Sequence, residues 1–233
     1  MEEILKLSHI YKSYPDLCVF QDLNIDFLKN QINCVLGPSG CGKTTLLNII
    51  NRTIPPDSGD ISDFSSKRIS YVFQDPRLLP WKTVEENIAF VLKERMNRED
   101  WEKRTDHILD LVQLKRFRHY YPSQISGGMK QRASLARAFT YPSDVILMDE
   151  PFKALDLKLK KNLTDQFISL WKSDKRTVIF VTHDPEEAVK LGKKISIFSN
   201  APVKIIREFI NHDSANKEGI LREIIKIIES IEN

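Results

Sequence analysis

Two stretches of this 233-residue chain, Val145-Ile146-Leu147-Met148 and Val178-Ile179-Phe180-Val181, are apolar at every position. A strand with one wet face alternates apolar and polar side chains, so a strand without alternation has to be covered on both faces. That is the environment of a central strand in a parallel sheet packed between helices. Further β-rich runs at 4–7, 23–27, 32–36, 69–73, 195–198 and 203–206 alternate with helical stretches, and this order predicts an α/β fold with a mostly parallel sheet. Between about 83 and 140 the strand signal vanishes and Ile108, Leu111, Val112 and Leu114 recur at helical spacing, which places a helical subdomain there. Ile220, Ile224, Ile227, Ile228 and Ile231 stripe one face of a terminal helix, a face expected to dock on the chain's own core.

The 35 Lys and Arg against 32 Asp and Glu leave a net charge of +3, too little to mark a polyanion as the main partner. No nucleic acid is expected, although Lys115-Arg116-Phe117-Arg118-His119-Tyr120-Tyr121 interleaves basic and aromatic residues as single-strand binders do. No apolar run approaches the roughly 20 residues of a spanning helix, so a membrane role would need partner chains. The acidic start Met1-Glu2-Glu3-Ile4 is unlike a secretory signal. Cys18, Cys34 and Cys41 lack metal-ligand spacing and suit a reducing cytoplasm.

Gly37-Pro38-Ser39-Gly40-Cys41-Gly42-Lys43-Thr44 fits G-x-x-x-x-G-K-[ST], follows the run 32–36 and leads into a helical segment. Glycines let successive N–H groups turn inward at a helix N-terminus whose dipole adds positive potential, which makes a nest for phosphate. The loop and Thr45 are thus candidates to bind ATP, with Lys43 reaching the β and γ phosphates and the Thr44 hydroxyl on Mg²⁺. A plain glycine-rich turn is the alternative, and the flanking strand and helix weigh against it. A helix N-terminus lowers a thiol pKa, so alkylation of Cys41 is expected to inactivate the chain, with MgATP protecting.

The run 145–148 delivers Asp149 and Glu150 at its carboxyl end, the edge where open α/β sheets bind ligands. Asp149 suits Mg²⁺, through water. Glu150, turned to the other side, suits orienting or deprotonating an attacking water and is the candidate general base. Ser126-Gly127-Gly128 opens another helix with Ser126 well typed as its cap, a combination that by itself is a plain cap.

Taken with its neighbours, Gln124-Ile125-Ser126-Gly127-Gly128-Met129-Lys130-Gln131-Arg132 looks like the signature of the ABC ATPases. The phosphate loop, signature and carboxylates stand in that family's order, and the resemblance runs from about residue 5 to 200. It implies a P-loop NTPase fold (RecA-like) with an antiparallel N-terminal part and an inserted α-helical subdomain. The expected division is 1–73 and 141–200 as nucleotide-binding core, 74–140 as the helical subdomain with glutamine loop and signature, and 201–233 as a C-terminal strand and amphipathic helix.

The resemblance also implies roles for single residues. Gln74 would sense Mg²⁺ and the attacking water and touch the membrane partner. His183 would bridge the γ-phosphate and the catalytic centre, and Asp156, in Ala154-Leu155-Asp156, would cross to the opposite subunit. Tyr14 would stack on adenine, with Tyr11 as its rival. Ser126, Gly127 and Gly128 would bind the γ-phosphate held by a second copy. Catalysis would then need a head-to-tail homodimer, or a pseudo-dimer with a related ATPase. The implied partners are transmembrane permease subunits and, indirectly, a solute-binding protein, with the chain peripheral at the cytoplasmic face of the membrane.

Leu78-Leu79-Pro80-Trp81-Lys82-Thr83-Val84 and Met148-Asp149-Glu150-Pro151-Phe152 resemble the importers of nitrate, taurine and alkyl sulfonates, a branch that includes carriers of thiamine-precursor pyrimidines. Pro80-Trp81 also reads as a rigid turn with a packed indole. Lys153 departs from the family, which keeps a small residue there, and is expected to lower basal hydrolysis or to pair with an acid across the dimer. Ile125 and Met129 replace leucine and glutamine. The stretch 60–70 is about one hairpin short, leaving 63–67 as a polar connector. The rival functions are a non-transport ABC ATPase, acting on nucleic acid or in assembly, and a binding module held together by ATP; Glu150 and His183 argue against the second.

Overall fold

A computed structural model describes residues 3–92, 95–153, 155–211 and 216–232. In chain order the strands and α-helices are β1 (Ile4–Tyr14), β2 (Leu17–Leu28), β3 (Ile32–Leu36), α1 (Lys43–Ile50), β4 (Ser58–Asp60), α2 (Ser62–Ser65), β5 (Ile69–Val72), α3 (Val84–Ala89), α4 (Arg98–Leu111), α5 (Gly127–Thr140), β6 (Val145–Asp149), α6 (Leu157–Ser173), β7 (Thr177–Thr182), α7 (Pro185–Leu191), β8 (Lys194–Phe198), β9 (Ile205–Ile210) and α8 (Lys217–Glu232). Packing divides them into two units, Met1–Ile69 with Arg176–Asn233, and Ser70–Lys175.

In the first unit β3 runs parallel to β7 and to β8, and β9 closes the sheet antiparallel to β8. Every residue of β3, β7 and β8 is buried, the condition that the unalternating run 178–181 requires. A second sheet, β2-β1-β4, is antiparallel. Its first two strands are much longer than the runs at 4–7 and 23–27, because the ladder continues through register shifts that break the alternation. At the bulged point His9 and Asp22 take φ of 53° and 62°, and the His9 ring lies 2.7 Å from the Asp22 carboxylate. No apolar signal marks β4; it forms because Gly59, at φ 114°, lies so close to β1 that a Cβ there would sit 2.4 Å from the His9 carbonyl oxygen.

The connector expected at 63–67 is in part a helical turn. Phe64 of α2 is fully buried and meets Phe27 edge-on at 6.1 Å, while Asp63 accepts from the Lys6 amide at 2.8 Å. The isoleucine stripe of α8 docks within its own unit: Ile220 and Ile224 are buried and the helix packs on α7. The Arg207–Glu223 ion pair ties α8 to β9.

The second unit contains β5 from Ser70 on beside β6, with the Ser70 hydroxyl 2.9 Å from that of Ser143, just before β6, and helices α3 to α6. It reaches further along the chain than 74–140. Phe167 of α6 meets Phe139 of α5 and Phe152 edge-on, at 6.0 and 6.3 Å, and this aromatic cluster packs α6 with the helices rather than leaving it to the nucleotide core.

Candidate functional site

The glycine-rich loop follows β3 and enters α1 at Gly42, whose φ of 115° is open to glycine but strained for other residues. A Cβ on Gly42 would stand 2.5 Å from Val19 Cγ1, and one on Gly37 would press on Phe198 and Cys41. Gly40 is at φ 81°. The loop is thus shaped by positions that admit little but glycine. Gly42 offers no capping side chain and the first turn of α1 holds no acid, a helix start of the type that can attract an anion. Lys43 is buried, its ammonium donating to the Gly37 and Pro38 carbonyls at 2.8 Å each. That fold-back sets the cation inside the curl of the loop. Thr44 and Ser39 are exposed, Thr45 and Pro38 half-buried.

Cys41 departs from expectation. Its side chain is turned inward and only 2% exposed, against Gly37, so the thiol does not face reagent as an exposed loop thiol would. Cys34 is buried as well, and burial together with the Glu187 carboxylate pushes its thiol pKa up.

In the same unit His183 follows β7 and is exposed. Thr182 before it donates to Glu187 at 2.6 Å and accepts from the Asp184 amide, and Asp184 caps α7. The histidine is therefore held at a fixed strand-to-helix corner. Tyr11 and Tyr14 are 41% and 44% exposed, and exposure does not separate them as candidate adenine platforms. Their strand end is pinned by Asp57, which accepts from Lys12 and from the Ser13 amide at 2.7 Å each.

In the second unit Asp149 ends β6 and accepts from the Tyr71 hydroxyl at 3.1 Å. Burial, with the Asp149 charge, pushes the Tyr71 pKa up, so this hydroxyl stays a donor. Glu150 is buried and sits at φ 42°, a left-handed conformation that costs a non-glycine residue about 1–3 kcal/mol. The chain leaves β6 there, one residue beyond Asp149. Lys153 has its ammonium 2.7 Å from Glu150 Oε2, an acid of its own chain.

Gln74 is exposed just beyond β5. The segment after it is fastened by Arg137 of α5, whose guanidinium donates to the Pro76 and Arg77 carbonyls at 2.9 and 3.0 Å. Burial pushes the Arg137 pKa down. No local signal in the sequence marks this arginine, because its spacing reads as an ordinary wet helix face. The turn at Pro80-Trp81 is tied to Asn87, which accepts from the Leu79 amide and donates to the carbonyls of Leu79, Lys82 and Thr83. The indole is not packed, however; Trp81 is 69% exposed.

Ser126 caps α5, accepting from the Met129 amide at 3.3 Å, and the first turn again lacks an acid. Gly127 is exposed, and a Cβ there would meet nothing within 4 Å among the described residues, whereas one on Gly128 would stand 2.6 Å from Leu159. Asp156 caps the helix that carries Leu159, so the signature turn and the start of α6 form one packed surface. Ala154 lies outside the described residues. In the basic-aromatic stretch, Arg118 pairs with Glu85 and Asp106, and Lys115 with Asp106 and Asp110, which leaves these cations engaged within the unit.

The family model described as ABC transporter matches residues 20–153. The taurine import ATP-binding protein TauB of Roseobacter denitrificans is 39% identical over 215 residues, covering 88% of this chain and 80% of that protein. The nitrate import ATP-binding protein NrtD of Synechococcus elongatus is 36% identical over 200 residues, covering 82% and 73%. Among solved structures, a dimeric ATP-binding cassette in a post-hydrolysis state, bound to ADP and Pi, superposes with a TM-score of 0.74 at 29% identity and covers 91% of this chain and 100% of that one. With its P-loop fold, its two glycine-marked helix starts and these relatives, the chain belongs to the ABC transporter family as an ATP-binding subunit.

Proposed function

We propose that this chain hydrolyses ATP to drive import of a small organic or inorganic anion, of the nitrate, sulfonate or taurine kind, through separate transmembrane subunits. It works as a head-to-tail dimer at the cytoplasmic face of the membrane, and a solute-binding protein delivers the cargo. The observation that carries this reading is the pair of glycine-marked helix starts, at Gly42 and at Ser126-Gly127, neither with an acid in its first turn. Two anion-seeking helix ends suit one polyphosphate gripped from both sides. The import direction and anion class rest on the relatives named above. Among the described residues no helix is long and apolar enough to cross a membrane, which agrees with conduction by other chains.

In this mechanism the loop from Gly37 to Thr45 binds the phosphates, Lys43 exchanging its carbonyl partners for β and γ oxygens, and Tyr14 or Tyr11 carries the adenine. Glu150 orients the attacking water and accepts its proton; His183 holds the γ-phosphate. Ser126, Gly127 and Gly128 take that phosphate from a second copy, with Asp156 beside them. Among the described residues no group of three or more His, Cys, Asp or Glu could cage a metal, and a cation with few protein oxygens is the habit of Mg²⁺. Thr44, Gln74 and, through water, Asp149 are the residues that would hold it. Bound Mg²⁺ would neutralise charge on the β and γ phosphates.

The test is ATPase rate against protein concentration, for the native chain and for Glu150→Gln. The expected result is a rate rising faster than linearly in protein, with turnover lost and a nucleotide-bound dimer trapped in the variant. A rate strictly proportional to monomer, or full turnover in Glu150→Gln, overturns the reading. Co-purification with permease subunits, then stimulation by candidate anions, identifies the cargo.

A further inference from the structure

The turn after β6 runs Glu150-Pro151-Phe152-Lys153. Three features fix it: Glu150 at φ 42°, the restricted φ of Pro151, and a Lys153 amide donating to the Glu150 carbonyl at 3.1 Å. Phe152, 1% exposed, anchors the turn against Phe167. With the backbone so held, the Lys153 side chain returns over Glu150 and its Nζ lies 2.7 Å from Oε2. Of the two side chains, Lys153 is 37% exposed and Glu150 10%. The carboxylate is thus the buried member of the pair and the ammonium the one in contact with water.

We propose that Lys153 is a positioning residue that holds the Glu150 carboxylate in an ion pair and so keeps hydrolysis slow until the pair opens. This rests on reading Glu150 as the carboxylate that orients the attacking water. To do so it must present an oxygen to that water. A charge-assisted bond of this length engages Oε2 and fixes the rotamer of the side chain. A small residue at 153 offers no such cation, so Glu150 would be released from this partner. Lysine, carrying most of the exposure, is the partner that leaves when the pair opens.

The test is steady-state ATPase of the full chain as wild type, Lys153→Met, Lys153→Arg and Glu150→Gln. Methionine keeps the unbranched stem without the charge. The expected result is a kcat about two- to fivefold higher in Lys153→Met, the range open to a half-exposed pair, with KM for ATP changed less than about twofold. Lys153→Arg, which restores a cation, brings kcat back toward the wild-type value. Lys153→Met at or below the wild-type rate, or Lys153→Arg as fast as Lys153→Met, overturns the proposal while leaving Glu150 as the water-orienting residue. Full turnover in Glu150→Gln removes that underlying reading, and the proposal with it.

Discussion

Gly42→Ala tests the link between loop geometry and phosphate binding. At φ 115° and ψ 9°, alanine has to adopt a conformation that costs about 1–3 kcal/mol. Its Cβ would also stand 2.5 Å from Val19 Cγ1, more than 1 Å inside ordinary carbon contact of roughly 3.5–4.0 Å. Val19 is 2% exposed and β-branched, so it cannot rotate aside cheaply, and overpacking of this kind adds about 1–3 kcal/mol. The two terms together give about 2–6 kcal/mol, and a value near 3 lowers the melting temperature by roughly 6–12 °C for a chain of this size. Thermal and urea unfolding measure it. Val19→Ala in the same chain removes the clash but not the backbone strain, so the double mutant recovers about 1–3 kcal/mol relative to additivity. MgATP at a hundred times Kd raises wild-type stability by about 2.7 kcal/mol, and Gly42→Ala loses most of that gain. A melting point within about 2 °C of wild type, or additivity within about 0.5 kcal/mol, refutes the reasoning.

Arg137→Met leaves the Pro76 and Arg77 carbonyls without their donor, and is expected to cost about 1–3 kcal/mol and to speed amide exchange in the segment after Gln74; unchanged exchange there would show that the arginine is not what fastens it. Among the thiols, Cys18 is half-buried and Cys34 and Cys41 are buried, so an alkylating reagent should modify Cys18 first and Cys41 only as denaturant opens the fold, a ranking refuted by equal native rates. Asp57 has its pKa lowered by the Lys12 hydrogen bond and the Ser13 amide. A depressed carboxylate contributes stability above its unfolded value and loses it as pH falls below about 4; the stability gap between wild type and Asp57→Asn should therefore narrow between pH 6 and pH 3, and a constant gap would contradict the pairing.

Local pattern was enough for the elements whose surroundings are uniform. The runs 145–148 and 178–181 are strands because a short segment apolar on both faces has to be buried on both, and 32–36 and 195–198, mostly apolar, are buried throughout as well. The phosphate loop was legible for a similar reason, since glycine at 37, 40 and 42 reports backbone conformations and close approaches that its neighbours impose. The stripe from Ile220 to Ile231 told which face of the last helix is buried by its period alone.

What stayed hidden depends on pairs of residues far apart in the chain. The hairpin of β1 and β2 outlasts its apolar alternation because ladder hydrogen bonds continue through bulges, and β4 exists only because β1 is there to pair with it. Phe64 turned a polar connector into a buried helical turn once Phe27 supplied a surface. The inward rotation of Cys41, the grip of Arg137 on the segment after Gln74, and the return of Lys153 onto Glu150 likewise leave no periodic trace. Sequence by itself determined the central strands, the striped helices and the glycine-shaped loop, since those follow from neighbours a few residues away. Only the tertiary structure decided which side chains hold one another, because a hydrogen bond or a charge pair is set by distance in space, and distance in space is not written in local order.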